Sequence, residues 1–294
     1  ALLLRVNGPR RSEALEKAAY DMLAWADSTA QTKPEQSAQL YDEALRRLNE
    51  AASLERRPVG EEIAASIAVR SADARLAVTL KLLETSPETT FAELRPLLRD
   101  GKDPVRREKV LAALREAWRK ARDAKAFDRF VDLTAFLIAE VDAPPFTDPF
   151  YAEFKTGLTE LSESSKKEAL NKQVFALSLL ADAFPADPGA RDARRDATAR
   201  AVELARATTN QGKAPASIGG SGLPGYTVAL IENGTEHHIL MIYEGPETFF
   251  VRINPYRRGS VVLKDGSYLV GVATIKDEIT PYAFPATVAS TLVR

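Results

Sequence analysis

The hydrophobic pattern of this chain changes period once, at a Gly-rich segment. Up to Thr208 apolar residues recur at spacings of three and four, as amphipathic helices require. From Tyr226 onward they alternate with polar residues at period two, as strands require. Between the two lies Asn210-Gln211-Gly212-Lys213-Ala214-Pro215-Ala216-Ser217-Ile218-Gly219-Gly220-Ser221-Gly222, too small and polar to order itself by burial. A helix-period pattern does not settle as a strand, nor the reverse. The expected fold is therefore α+β by domains: an α-helical repeat-like domain at 1–208, a Gly/Ser/Pro linker at 209–223 and a small all-β domain at 224–294. A length of 294 residues suits two cores. Periodicity leaves open whether the two domains pack together or are flexibly linked.

A helix-start signal recurs in the first part. Thr32-Lys33-Pro34-Glu35 opens a helix to about Leu54, Ser86-Pro87-Glu88 one through Leu98, Asp103-Pro104 one through about Arg122, and Asp148-Pro149 a fourth. Proline at the first helical turn loses no hydrogen bond, because the N–H groups there have no intrahelical acceptor. Val110, Leu111, Leu114, Ala117, Trp118 and Ala121 make one apolar stripe; Phe127, Phe130, Val131, Thr134, Leu137 and Ile138 make the next. About nine helices fit between Arg10 and Thr208, and their short connections predict antiparallel hairpins.

Ala44-xxx-Leu48-xx-Ala51 and Ala176-xxx-Leu180-xx-Ala183 resemble the second helix of a tetratricopeptide (TPR) repeat. Pro188 falls at the closing-proline position of the second match, and Pro58 lies two residues late for the first. The Trp, Leu-Gly and Tyr pattern of the first TPR helix is absent from both. The resemblance implies a TPR-like α-solenoid that binds peptide or protein in a groove; a plain helical bundle is the alternative.

In the second part, Tyr226 to Ile231 reads as a strand, Asn233-Gly234 as a hairpin turn, and His238 to Tyr243 as the returning strand. Thr248 to Ile253 places Phe249, Val251 and Ile253 on one face. Val261–Leu263, Ser267–Ile275, Ile279–Phe284 and Ala286–Val293 complete a set of short strands that predicts a small antiparallel β-sandwich. Leu263-Lys264-Asp265-Gly266-Ser267-Tyr268-Leu269-Val270 resembles an L-x-x-G-x-Y-x-V stretch of immunoglobulin-like accessory domains in secreted bacterial proteins. That resemblance implies a tight hairpin in an extracytoplasmic accessory or adhesion module.

Charge narrows the function. Lys+Arg number 40 and Asp+Glu 41, for a formal net charge of -1. From Pro224 onward there are 6 basic and 7 acidic residues, leaving 34 of each before it. Neither part is a basic module, which argues against a nucleic-acid partner. The chain has no cysteine, so disulfides, thiolate metal sites and a thiol nucleophile are excluded. It begins at Ala1, as removal of a signal peptide or simple trimming would leave it, and no apolar run of ~18 residues marks a membrane span.

Candidate chemistry is sparse. His237 and His238 are the only histidines, and neighbours on a strand face opposite ways, so even with Glu232 and Glu236 nearby a surface turn with one inward histidine is expected, not a metal site. Asp192 and Asp196 sit among Arg191, Arg194 and Arg195, the pattern of a solvated ion-paired face. Gly219-Gly220-Ser221-Gly222 lacks the context of a phosphate loop, and no nucleophile elbow or zinc-protease motif is present. The binding candidates are the exposed Arg/Tyr turn Tyr256, Arg257 and Arg258, with Tyr268, and the aromatic segment at Phe150 and Tyr151. The expectation is a non-enzymatic interaction or scaffolding protein outside the bacterial cytoplasm, without cofactor or metal, with a protein or peptide partner. The alternative is a carbohydrate or small-ligand binder using the β module or an aromatic groove.

Overall fold

The computed structural model describes residues 9–99, 103–141, 144, 147–208, 225–235, 237–274 and 281–288. Among them are nine helices: α1 (Pro9–Thr29), α2 (Pro34–Leu54), α3 (Glu61–Leu82), α4 (Pro87–Arg99), α5 (Pro104–Asp123), α6 (Phe127–Val141), α7 (Phe150–Ser165), α8 (Leu170–Ala183) and α9 (Pro188–Ala207). Six strands follow: β1 (Tyr226–Glu232), β2 (Ile239–Glu244), β3 (Phe249–Ile253), β4 (Arg258–Lys264), β5 (Gly266–Thr274) and β6 (Tyr282–Val288). The layout is α+β, helices first and two antiparallel sheets after. The chain forms two compact units, Ala1–Glu93 and Leu94–Arg294. The expected linker, 209–223, lies outside the described residues.

The helix starts follow from their capping chemistry. Asp103 Oδ1 accepts from Arg106 N at 3.0 Å and Asp187 Oδ1 from Gly189 N at 2.9 Å, each followed by Pro at the first turn. Asp148 does the same one residue earlier than a standard cap, accepting from Phe150 N at 2.8 Å. Lys33 offers no side-chain cap, and Pro34 with Glu35 in the first turn marks that start.

In the first unit α1 and α2 run antiparallel. Ser12 Oγ donates to Ala51 O at one end and Ser37 Oγ to Ala26 O at the other. Ala19, Ala26 and Ala44 are fully buried between them, with Leu23, Tyr41 and Leu48; Ile67 and Ala74 of α3 close the cluster. The Tyr41 phenol donates to Asp27 Oδ1 at 2.6 Å, and burial together with that carboxylate pushes its pKa up to about 12.

In the second unit α5, α6 and α7 meet at Trp118, which is fully buried. Phe130, Phe150 and Phe154 surround its ring at centroid distances of 4.9, 5.3 and 5.3 Å, and its Nε1 donates to Thr134 Oγ1 at 2.9 Å. α7 approaches so closely that a Cβ on Gly157 would lie 2.5 Å from the indole edge. Gly157→Ala is expected to destabilise the unit by ~1–3 kcal/mol despite its better helix propensity, because the indole has no room to retreat. An unchanged urea midpoint would show that it has. α6 departs from the single stripe expected of it: Phe130 to Leu137 are all buried, so its two central turns are enclosed all round, while Arg129 and Ala139 near its ends are exposed.

The larger sheet has the order β3-β2-β5-β6, and β1 pairs with β4 in a separate ribbon; every pairing is antiparallel. β2 and β5 read as nearly unbroken apolar runs because both sheet faces are covered. Ile242, Gly271 and Phe250 form one cross-strand row, and Leu240, Ala273 and Arg252 the next. These rows face the helices: a Cβ on Gly271 would lie 2.9 Å from Ala205 Cβ of α9, and Asn171 Nδ2 of α8 donates to Thr274 O at 2.8 Å. The buried stripe of α9 is alanine throughout (Ala190, Ala193, Ala197, Ala201, Ala205), which permits that approach. On the opposite face Met241, Tyr243, Val270 and Val272 share a core with Val261 and Leu263 of the ribbon.

Strand pairing differs from the sequence reading in three places. Asn233-Gly234 is not a hairpin turn, since β1 pairs with β4 and β2 with β3 and β5. Asn233 is instead buried, and its Nδ2 reaches His237 O, Ile253 O and Asn254 O at 2.7, 3.2 and 3.0 Å, tying two loops together. Leu263 to Val270 is not a tight hairpin either. The chain leaves one sheet for the other at Asp265-Gly266, where Gly266 adopts φ +152° and a Cβ would lie 2.4 Å from Pro246 Cγ. Finally, the two expected last strands are one, β6, which runs through Pro285; as the edge of its sheet it tolerates the missing donor. Residues 275–280 and 289–293 lie outside the described residues.

Candidate functional site

The β3–β4 loop, Asn254 to Arg257, is shaped by the buried amide of Asn233 beneath it. Tyr256 takes φ +54°, a left-handed conformation that costs a non-glycine residue about 1 kcal/mol or more. Tyr256 N donates to Thr235 O and Arg257 N to Asn254 O, each at 3.2 Å, which hold the turn. Tyr256 is left 69% exposed. Arg257 points inward, its Nη2 donating to Glu140 Oε1 of α6 at 2.7 Å.

Glu140 is the centre of this site. Its carboxylate is 1% exposed and also accepts from Arg95 Nε at 2.8 Å and Arg99 Nε at 2.7 Å, both on α4. Burial alone would raise its pKa; the hydrogen bonds from Arg257 and Arg95, with their charges, outweigh that and hold the carboxyl below the ordinary value. Among the described residues, three guanidinium groups on one carboxylate leave two positive charges in surplus. Arg99 is half exposed, so that surplus reaches solvent beside the Tyr256 loop. The chemistry available is recognition of an anionic, carboxylate- or phosphate-bearing group by forked donors, with an aromatic face alongside.

The other sequence candidates lie elsewhere. Arg258 pairs with Glu232 at 3.2 Å, both side chains well exposed. Tyr268 is buried, its OH donating to Lys264 O at 2.9 Å and its ring edge-on to Tyr243. Phe150 is buried against Trp118, with the Arg115 and Arg119 guanidiniums 5.0 and 5.3 Å from its ring centre. Tyr151 is half-buried, edge-on to Phe184 at 5.2 Å. Phe150 also forms part of a cleft of about 270 Å³ with Leu111, Leu137 and Val141 on its floor and Arg107 and Arg115 at its rim. Thus Tyr256 and Arg257 come together, while Tyr268 belongs to the β core and the aromatic segment to the helical core.

Sequence reasoning missed Glu140, Arg95 and Arg99. The available signals were an acid closing the apolar run Phe136-Leu137-Ile138-Ala139 and two arginines four apart on α4.

A second buried polar group joins the helices to the sheet. His238 is the inward histidine; its Nδ1 lies 3.1 Å from Asn254 Oδ1, its Nε2 lies 3.6 Å from Asp132 Oδ1, and its ring is edge-on to Phe175. His237 is half-buried, and Glu236 lies outside the described residues. Among the described residues no three His, Cys, Asp or Glu side chains gather as a metal site would require, and no helix is long and apolar enough to cross a membrane. Asp192 and Asp196 are exposed and flank Arg195 at 3.2 and 3.9 Å.

No protein-family model, curated protein or solved structure matches this chain.

Proposed function

We propose that this chain is a non-enzymatic protein-interaction or scaffolding protein of the bacterial extracytoplasmic space, recognising an anionic segment of a protein partner. The observation that carries the reading is the Glu140-braced arginine set beside the exposed Tyr256. Tyrosine and arginine are enriched among residues that dominate binding energy, and a buried carboxylate fixes the arginines before a partner arrives. Antiparallel helix pairs with Ala44, Ala51, Ala176 and Ala183 buried support a TPR-like array, and the core shared by the ribbon and the larger sheet supports a small sandwich. Capture from extracts of the source cells by the full chain tests the proposal. A retained protein, released by Tyr256→Ala or Arg99→Ala with a loss of about 2 kcal/mol or roughly thirtyfold in affinity, is the expected result.

The cleft at Phe150 favours a second reading, a binder of carbohydrate or another small ligand. Glycans that raise the melting temperature, with no protein retained, would put that reading in place of the first.

A further inference from the structure

The β1–β4 ribbon carries a feature independent of the Tyr256 site. Among the described residues β1 pairs only with β4, and its other edge has no strand partner among them. Proteins blunt such edges with lysine, proline or a bulge. β1 reads Tyr-Thr-Val-Ala-Leu-Ile-Glu and has none of these. Its outward side chains, Tyr226, Val228 and Leu230, are 42%, 45% and 59% exposed and continue sideways into Val262 of β4, itself 58% exposed. Its inward side chains, Ala229 and Ile231, contact the core but are only partly buried, so the core is open on that side.

The hydrogen-bond parity identifies the free groups. Asp265 N donates to Gly225 O at one end of the ladder, and Asn233 N donates to Arg257 O at the other, each at 2.9 Å. Bonded and non-bonded pairs alternate in an antiparallel ladder. The odd residues of β1 therefore bond to β4, and Tyr226, Val228, Leu230 and Glu232 direct N–H and C=O to the open edge.

We propose that β1 pairs antiparallel with β1 of a second copy, about a two-fold axis at Ala229. In this register Val228 lies opposite Leu230 of the second copy and Tyr226 opposite its Glu232, and each of these pairs exchanges the free bonds. Ala229 meets its own equivalent at the closely spaced non-bonded position, where a small side chain fits. The apolar side chains form one continuous outer stripe. Across the joined sheet the end row reads Lys264, Tyr226, then Glu232 and Arg258 of the second copy, with no like charges adjacent. A seven-residue strand spans only about 24 Å, short of a standard interface, so the dimer dissociates in the micromolar range.

Sedimentation equilibrium of the full chain, from low to high micromolar, tests this. The expected mass rises from one copy toward two. Leu230→Lys, at an exposed site, raises the dissociation constant tenfold or more. Val228→Pro, which removes an outward N–H without breaking a bond to β4, does the same. Val262→Lys, one strand in from the edge, leaves it within about threefold. A single-copy mass throughout overturns the proposal. So does a dimer indifferent to Leu230→Lys and Val228→Pro, or one that Val262→Lys alone disrupts, which would mean stacked faces.

Discussion

Trp118→Ala is expected to lower the unfolding free energy of the second unit by about 3–5 kcal/mol, the range for removing a large buried aromatic. The indole touches three phenylalanine rings from two helices and bonds to Thr134 on α6. Alanine removes those contacts together. Gly157, already side-chain-free, has nothing with which to fill the space. Thr134 Oγ1 keeps its bond to Phe130 O, so the loss is one of packing and not of an orphaned hydroxyl. Urea unfolding followed by far-UV circular dichroism measures it. A loss under about 1 kcal/mol would mean that α5 and α7 collapse onto each other freely, contrary to the packing described. Trp118→Phe, which keeps an aromatic ring, is expected to recover more than half of the loss.

The second large effect is expected at Glu140. Replacing it with glutamine keeps the shape and removes the charge that balances Arg95, Arg99 and Arg257. Breaking a fully buried ion pair costs about 3–5 kcal/mol; because these arginines retain partial access to water, ~2–3 kcal/mol is expected here. The same group gives a pH dependence. Its folded-state pKa lies below the unfolded value, so its stabilisation is complete above the ordinary carboxylate range and disappears as pH falls through the lowered value. Wild type is thus expected to lose stability on acidification below the ordinary glutamate pKa more steeply than Glu140→Gln. Parallel acid profiles would remove the charge cluster from the account. Glu140→Gln is also expected to loosen Arg257 and, with it, the Tyr256 turn, which hydrogen exchange at Tyr256 and Arg257 would register.

The elements themselves were legible in the sequence; their neighbours were not. Proline and aspartate announce α5 and α7 because capping is chemistry local to four residues. Pairing of strands is non-local: period two says which side chains share a face and nothing about which strand lies alongside. Asn233-Gly234 has the composition of a tight turn, yet its amide serves backbone carbonyls twenty residues away. The burial of α6 beyond a single stripe is hidden because Asp132 and Glu140 look like solvent-facing acids until His238 and Arg257 are brought to them by the fold. Tyr256 and Arg257 were recognisable as part of a turn. Arg95, which braces the same loop through Glu140, lies on another element, and its spacing of four from Arg99 marks a helix face without saying what that face meets. Tyr268 shows the reverse case: its ring packs in the β core against Tyr243 because its hydroxyl finds a partner in Lys264 O, neither of which period two reveals.

The seating of the larger sheet on α8 and α9 also sets an order of events during synthesis. About seventy residues separate Ala207 from Thr274, whose carbonyl receives Asn171. At roughly 5–20 residues per second, the helices wait several seconds before that strand exists. Over that interval the alanine flank of α9 and the side of α8 destined for the sheet lack the cover that the strands later give them. The strands thus act as a late-arriving cover, and a ribosome stalled short of β5 would leave a helical intermediate prone to association.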